Sequence, residues 1–409
     1  MSQEATGFKM GRVEFIALIA MMFATIAFSI DAMLPALPEI AGELTPTDPT
    51  RAALILTSFV LGMGLGTFIV GPLSDAFGRR TVLFLGSALY ILSAAVAWAS
   101  STLEFMLAAR VLQGFGAAGP RIVAVAVVRD LFSGREMARI VSLIMLVFTL
   151  VPAFAPAMGA VIIDAVGWRG IFLAFVTFSM ISTIWLAFRL PETLAVENRR
   201  PFRTRPMLEA IKEIFANTTV RLSIYVQSLA LSMLFLTLML VQPIYSNVFD
   251  RADSFPYWFG LIALIAGSAS LLNALLVVRV GMQRLVKYTL GAQITIAIIC
   301  LLIAPAALQD PYGFAVFLFW QACIFFQAGL TLGNLNAIAM EPMGHIAGMA
   351  ASVIGAASTV VAAAISSTIT LIFPPTVTCL VLSVLIMASI GFMIMQRMAR
   401  VSAQPQAAE

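Results

Sequence analysis

One acidic side chain lies well inside the apolar stretches of this sequence. Asp31 follows the apolar run 15–30 and is followed one turn later by Pro35. An ionised carboxylate at membrane depth costs roughly 2.5–3.5 kcal/mol or more, so such a group faces a cavity, pairs with a base or takes a proton. On a helix Asp31 shares a face with Ala27 and Phe28, and small residues beside an aromatic one suit a cavity wall. The alternative is an inert carboxylate held by polar neighbours near a helix end.

Two basic side chains share a later apolar stretch. Arg110 and Arg121 are about three helical turns apart, which places both on one face. A buried arginine stays charged and must find acceptors, and Gln113 lies one turn from Arg110. Arg110 therefore either acts on a nearby charge or pins helices together, whereas the side chain of Arg121 can extend toward water at the helix end.

The stretch 71–80 is short, polar and placed between two long apolar runs. Gly71 and the proline after it are expected to end the first of these helices. Asp75 and Gly78 follow, and Gly78 permits a turn that a side chain would obstruct. Arg79 and Arg80 then mark a membrane edge on the basic, cytoplasmic side.

Prolines recur in the fifth apolar run. Pro152 and Pro156 interrupt helical hydrogen bonding, and small residues such as Gly159 permit close packing, so this segment is expected to act as a hinge or seal, or else to form a static kink.

Polar and aromatic residues in the second half are candidates for a cavity lining or for simple contacts between helices. Phe235, Gln242 and Gln327 are the candidates for a substrate cavity, together with Phe28, Asp31 and Gln113 from the first half. Gln321, Asn273 and Asn334 can serve the same purpose or bond to neighbouring helices. His345, the one histidine, is expected to be a loop or cap residue.

Composition places the chain in a membrane. Of its 409 residues 61% are hydrophobic and 11% are charged, and the mean hydropathy is +1.00. A soluble domain is about one quarter charged. The net charge of +4 is too small to suggest nucleic acid. Cys300, Cys323 and Cys379 lie in apolar runs without metal-ligand spacing and are expected to be small buried hydrophobes.

Twelve segments are long enough to span a bilayer, which takes about 20 apolar residues. They lie near 13–36, 51–71, 80–100, 103–129, 137–163, 167–190, 221–249, 255–278, 284–307, 311–339, 345–372 and 375–397. The fold class is therefore an all-α integral membrane protein with its twelve helices in two pseudo-symmetric bundles of six. A degenerate echo of the stretch 71–80 occurs at 278–284, in the corresponding place of the second half.

A basic interval separates the two halves. The predicted domains are 1–190, a cytoplasmic linker 191–220 and 221–409. The linker carries Arg199, Arg200, Arg203, Arg205 and Lys212, and its part 207–215 is either a short helix on the membrane surface or a solvated connection. Most of the 24 basic residues, Lys9 and Arg12 included, fall on the side of this linker, which places both termini in the cytoplasm.

These motifs resemble those of a known transporter family. The stretch from Gly71 to Asp75, with Gly78, Arg79 and Arg80, resembles the signature loop of the major facilitator superfamily. The stretch from Arg110 to Ala118 resembles the fourth-helix motif of its drug:proton antiporters. The stretches 29–38 and 341–348 resemble the twelve-span drug group, and within it the bicyclomycin and chloramphenicol resistance (Bcr/CflA) type. Ala155 stands before Pro156 where the usual antiporter pattern has glycine, and Arg121 is outside the general motif.

The resemblance implies roles for the matched residues. Asp31 would be the proton-coupled carboxylate and Arg110 would tune it. Asp75 would pair with Arg129 and with the start of the eleventh span in a cytoplasmic gate that includes Gly71, Gly78, Arg79 and Arg80.

The implied function is export of small amphipathic drugs or toxic compounds across the inner membrane by alternating access, with the proton as coupling ion and no other cofactor. Lipid, protons and a small-molecule substrate are the expected partners of a monomer. The alternatives are an exporter or facilitator of one metabolite, such as a sugar, amino acid or siderophore, and a membrane sensor without transport. An enzyme is not expected, since the sequence shows no nucleophile–base pair, metal cluster or phosphate loop.

Overall fold

The computed structural model describes residues 10–199, 201–202, 204–307 and 311–403. Lys9, Arg200 and Arg203, which contributed to the orientation above, lie outside these ranges. The described residues form fourteen α-helices and no strand. Their bounds are α1 Arg12–Asp31, α2 Leu37–Leu44, α3 Leu54–Phe77, α4 Arg79–Trp98, α5 Leu103–Leu131, α6 Gly134–Val166, α7 Arg169–Arg189, α8 Thr204–Ala216, α9 Thr218–Asn247, α10 Phe255–Val280, α11 Met282–Ala307, α12 Pro311–Met340, α13 Ala347–Ile372 and α14 Val377–Ala403.

Twelve of these helices are long enough to cross a membrane. Eleven continuous helical stretches of the described chain meet the length and hydropathy that a span needs. The longest, Tyr312–Ile372, contains both α12 and α13, joined by the 3₁₀ segment Glu341–Ile346. The short helices α2 and α8 complete the set. The predicted all-α membrane architecture and its twelve spans are therefore confirmed.

Helix α3 is longer than predicted. The expectation that Gly71 and Pro72 end it is wrong, because α3 continues through both residues to Phe77. A proline removes one backbone donor, and a membrane helix tolerates that loss. The chain breaks instead at Gly78, where φ is 98° and ψ is 153°, a conformation that is nearly restricted to glycine.

The second half repeats this break. Gly281 separates α10 from α11 with φ 84° and ψ 150°, in the place that Gly78 takes between α3 and α4. The sequence echo at 278–284 therefore has a backbone counterpart. In both places a glycine reverses the chain between two long helices without an intervening loop.

The chain divides into two compact units. The N-terminal unit, Met1–Arg205, contains α1 to α7, and the C-terminal unit, Pro206–Glu409, contains α9 to α14. The boundary between the units falls inside α8. The domain limits 190 and 221 derived from the sequence stay a prediction.

Helix α5 lies at the centre of the N-terminal unit, against α3 and α4. Glycines bring the backbones together. A Cβ on Gly62 of α3 would collide with the carbonyl of Val111, and a Cβ on Gly114 of α5 would collide with the carbonyl of Phe59. This reciprocal fit uses small residues in the way that membrane helices pack without a hydrophobic driving force between them. It fixes the part of α5 that carries Arg110 and Gln113.

The C-terminal unit is built around α9, which packs against α12, α13 and α14. Two of its polar contacts join helices: Tyr245 donates to Gln321 at 2.9 Å, and Asn334 donates to Asn273 at 2.7 Å. The side-chain amides of Gln321, Asn273 and Asn334 therefore form hydrogen bonds between helices, which is one of the two alternatives predicted. The three cysteines are free, and Cys300 is buried.

For the linker the sequence left a short helix or a solvated connection open. The structure shows a helix, because α8 extends over Thr204–Ala216. His345 in the 3₁₀ segment lies 2.6 Å from Glu213 of α8. The histidine therefore lies in the short 3₁₀ connection between α12 and α13, and its contact ties α8 to the C-terminal unit.

Candidate functional site

Asp31 is the last residue of α1 and is 5% exposed. No hydrogen bond or ion pair joins its carboxylate to another of the described residues. Beyond it the chain turns through the 3₁₀ segment Leu34–Ala36 into α2. A charge that is buried without a partner is costly, so a carboxylate in this position is a candidate for proton exchange. The side chain that the sequence marked for proton chemistry thus lies at a helix end, away from water and bases.

Arg110 of α5 is fully buried and makes three hydrogen bonds to three elements. Its Nη2 donates to the carbonyl of Ser29 at 2.9 Å, and its Nε donates to the carbonyl of Ile55 at 3.2 Å. Its Nη1 donates to Oε1 of Gln113 at 2.8 Å. The guanidinium also lies 4.5 Å from the ring centroid of Phe59, a cation–π contact. The buried charge is therefore satisfied by carbonyls, an amide and an aromatic face.

The hydrogen bonds of Arg110 favour one of the two roles predicted for it. The guanidinium contacts the backbone of α1 at Ser29 and not the carboxylate of Asp31. Among the described residues it joins α1, the first turn of α3, and α5. The geometry therefore supports the structural pin that the sequence left open.

The hydroxyl of Ser29 extends this network to α4. It lies 2.5 Å from the Tyr90 hydroxyl and donates to the carbonyl of Thr25 at 2.6 Å. Tyr90 is 2% exposed. Sequence reasoning missed Tyr90, because one tyrosine in an apolar helix usually marks a membrane interface.

Phe28 faces aromatic side chains of α7. Its ring centroid lies 5.4 Å from Phe175 and 5.7 Å from Phe178. Phe28 was predicted to line a substrate cavity, and the structure places it in an aromatic cluster of the N-terminal unit. Gln113 is also buried in that unit, beside Arg110.

Helix α6 contains Pro152 and Pro156 and runs without interruption from Gly134 to Val166. A Cβ on Gly159 would collide with the carbonyl oxygen of Ala32 and would lie 3.2 Å from the Cα of that residue. The segment predicted to be a hinge or a kink thus contacts the backbone directly after Asp31. Its role as a hinge stays a prediction.

The candidates from the second half lie in the C-terminal unit. Phe235 and Gln242 are buried on α9, and Gln327 is buried on α12. Phe235 and Gln242 stay predicted cavity residues, whereas Gln327 lines a cavity within its own unit.

The stretch 71–80 forms an ion-pair cluster centred on Arg79. Its Nη1 lies 2.5 Å from Oδ1 of Asp75, and its Nε lies 3.0 Å from Oδ2 of Asp130. The side chain of Arg79 is 5% exposed. The pairing of Asp75 with Arg129 is not found in the described chain, because Arg129 points to the exposed surface. Adjacent helical residues point about 100° apart, so Asp130 faces the cluster instead.

The carboxylate of Glu192, a residue that follows α7 in the sequence, caps the start of α4. Glu192 accepts hydrogen bonds from the backbone N–H groups of Arg79 at 2.9 Å and Arg80 at 3.1 Å. A negative charge is stabilised at a helix N-terminus. A Cβ on Gly78 would collide with the Glu192 carboxylate. Sequence reasoning missed Glu192 because more than a hundred residues separate it from the helix that it caps.

Among the described residues no group of three or more histidine, cysteine or acidic side chains could hold a metal ion.

Known proteins resemble this chain in sequence and in fold. The chain is 29% identical over 354 residues to the "Bicyclomycin resistance protein homolog" of Haemophilus influenzae, covering 86% of this chain and 88% of that protein. It is 36% identical over 169 residues to the "Chloramphenicol resistance protein" of Pseudomonas aeruginosa, covering 41% and 40% of the two chains. The solved D-xylose-proton symporter superposes with a TM-score of 0.72 at 14% identity, over 94% of this chain and 97% of that one, which shows a shared fold. Residues 17–367 match the model of the Major Facilitator Superfamily, and the chain therefore belongs to this family of multi-pass membrane transporters rather than to an enzyme family.

Proposed function

We propose that this protein is a proton-coupled exporter of small amphipathic drugs or toxic compounds that works by alternating access. The observation that carries the proposal is the buried carboxylate of Asp31, which has no partner among the described residues. Two relatives named for bicyclomycin and chloramphenicol resistance support the substrate class.

The proposed cycle uses Asp31 as the proton carrier. Facing outward, its carboxylate takes a proton and the site loses affinity for the compound. Facing inward, it releases the proton and the site binds the next neutral or cationic molecule. One inward proton contributes about 2.3 kcal/mol per 100 mV of membrane potential. Arg110 holds the end of α1 in position during these changes, through the carbonyl of Ser29.

The proposed location is the inner membrane, with both termini in the cytoplasm and one chain as the working unit. The excess of basic residues on the side of the linker supports this orientation, since short cytoplasmic loops are enriched in lysine and arginine.

Transport in inverted membrane vesicles tests the function. A panel of chloramphenicol, bicyclomycin and cationic dyes is presented together with sugars and amino acids, and an internal pH dye reports proton movement. We expect the wild type to move several panel drugs with counterflow of protons, and Asp31→Asn to insert normally and lose the proton-driven component. The exposed carboxylate of Glu39 in α2 provides the matched control, Glu39→Gln.

Transport of one sugar, amino acid or siderophore without any response to the drugs would contradict the substrate class. Normal proton-driven export by Asp31→Asn would contradict the coupling role.

A further inference from the structure

The cavity that Gln327 lines lies within the C-terminal unit, between α10 and α11 over the surface of α12. Its volume is about 580 Å³, inside the range of 300–1,000 Å³ that is typical of small-molecule pockets. Leu261, Ile265 and Phe319 line it and are 47%, 47% and 62% exposed. Because these residues lie within membrane-spanning helices, the cavity opens toward hydrocarbon.

Two buried amides line this apolar cavity. Gln293 of α11 and Gln327 of α12 are each 2% exposed, and both lie well inside their helices. The Nε2 of Gln293 and the Oε1 of Gln327 have no hydrogen-bond partner among the residues that the structure describes. Buried polar groups are nearly always bonded, so two unpaired atoms at one cavity need an explanation.

The orientation of the Gln327 amide follows from its neighbour. The hydroxyl of Thr331 donates to the main-chain carbonyl of Gln327 at 2.8 Å, and it accepts from Nε2 of Gln327 at 2.9 Å. A hydroxyl has one proton to give, so Thr331 acts as the acceptor for the amide. This leaves Oε1 of Gln327 as an unpaired acceptor, opposite in kind to the unpaired donor of Gln293.

We propose that this cavity is a binding site for a neutral amphipathic molecule that enters from the bilayer and carries a hydroxyl or carboxamide group. Such a group both donates and accepts, and it pairs with Gln327 and Gln293 once their side-chain amides rotate toward the cavity, because both unpaired atoms lie just below its surface. Its apolar body covers the hydrophobic walls. No charged side chain is among the residues that line the cavity, and an ion would be left uncompensated there. The site uses neither Asp31 nor Arg110 and is independent of the export mechanism.

Photolabelling of the full-length protein in phosphatidylcholine vesicles tests the site. The probe is a dodecanol that carries an alkyl diazirine, and mass spectrometry locates the label. We expect label on α10, α11 and α12 that dodecanol displaces better than dodecyl methyl ether, which cannot donate, or dodecane. The variants Gln293→Leu and Gln327→Leu remove one hydrogen bond each and should weaken the probe's binding roughly fivefold. Leu302→Ala, an exposed position on α11 outside the cavity, is the control.

Replacing an unpaired buried amide with a similar apolar side chain is not expected to unfold the protein. If either variant fails to fold, the three competitors applied to the wild type still decide the question. Equal displacement by dodecane and dodecanol, or unchanged labelling of both folded glutamine variants, would overturn the proposal. Asp31→Asn should leave the labelling unchanged, so a failure of the export mechanism gives a separate result.

Discussion

The guanidinium of Arg110 donates a 2.9 Å hydrogen bond to the carbonyl of Ser29, two residues before Asp31. The positive charge on α5 thus reaches the same end of α1 as the buried acid, but it is bonded to a backbone carbonyl. Ser29 in turn contacts Tyr90. The end of α1 is therefore held from two sides, while the carboxylate itself is without a bond among the described residues and can change its charge without breaking an ion pair.

Removal of the Arg110 side chain should destabilise the N-terminal unit. Arg110→Leu leaves the carbonyls of Ser29 and Ile55 and the Gln113 amide oxygen without this donor, at roughly 1–3 kcal/mol for each buried group left unpaired. Arg110→Lys restores the charge but not the three-way geometry. We expect both variants to lower the unfolding temperature measured in detergent, with the leucine variant the lower. Arg51→Leu, at an exposed ion pair, is the control, and equal stability of Arg110→Leu and the wild type would exclude the pin.

A methyl group at Gly159 should disturb the chain at Asp31. The added Cβ of Gly159→Ala meets the carbonyl of Ala32, and overpacking of this kind costs about 1–3 kcal/mol. Gly42→Ala in α2 has no neighbour within 4 Å and should be neutral or slightly stabilising. We expect the Gly159 variant to lose transport and thermal stability relative to the Gly42 variant. Wild-type transport by Gly159→Ala would show that this close approach is dispensable.

The two glycine breaks offer a matched pair. Gly78→Ala and Gly281→Ala both force alanine into a conformation that costs about 1–3 kcal/mol. A Cβ at Gly281 meets nothing within 4 Å, whereas one at Gly78 displaces the Glu192 carboxylate from the start of α4. The Gly78 variant should therefore have the lower unfolding temperature. Similar values for the two variants would mean that the cap by Glu192 contributes little.

The two acids around Arg79 should contribute unequally. The Asp75 side chain is 45% exposed and that of Asp130 is 16% exposed. Exposed ion pairs are worth at most about 1 kcal/mol, since water screens them, so Asp75→Asn should have a small effect on stability. Asp130→Asn weakens a more buried partner of Arg79 and should lower the unfolding temperature further. The reverse order would assign the main support of Arg79 to Asp75.

The membrane spans could be predicted because hydropathy is a local property. The turn at Gly78 could be predicted because glycine permits a turn that a side chain would obstruct. Two of the three acceptors of Arg110 could not be predicted, since they are backbone carbonyls that every residue type carries, whereas Gln113 was found from its spacing. The capping role of Glu192 could not be predicted either, because a carboxylate that is distant in sequence from the helix that it caps produces no local pattern. The end of α3 was misplaced at Pro72, because a proline rule drawn from soluble helices overstates the cost in a membrane.

The pairing of Asp75 with Arg129 illustrates a limit of motif transfer. The motif supplies a basic residue at the end of α5, but helical phase decides which side chain faces the cluster. In this chain that residue is Asp130, and the arginine that meets Asp75 comes from the start of α4.

The most direct test of the account is proton release on substrate binding. Chloramphenicol is added to the purified protein in weakly buffered detergent solution, and a pH dye records the protons released while radiolabelled chloramphenicol records binding. The account predicts release by the wild type and by Glu39→Gln, and none by Asp31→Asn. Equal release by Asp31→Asn, or binding to the wild type without any release, would contradict the assignment of Asp31 as the coupled carboxylate.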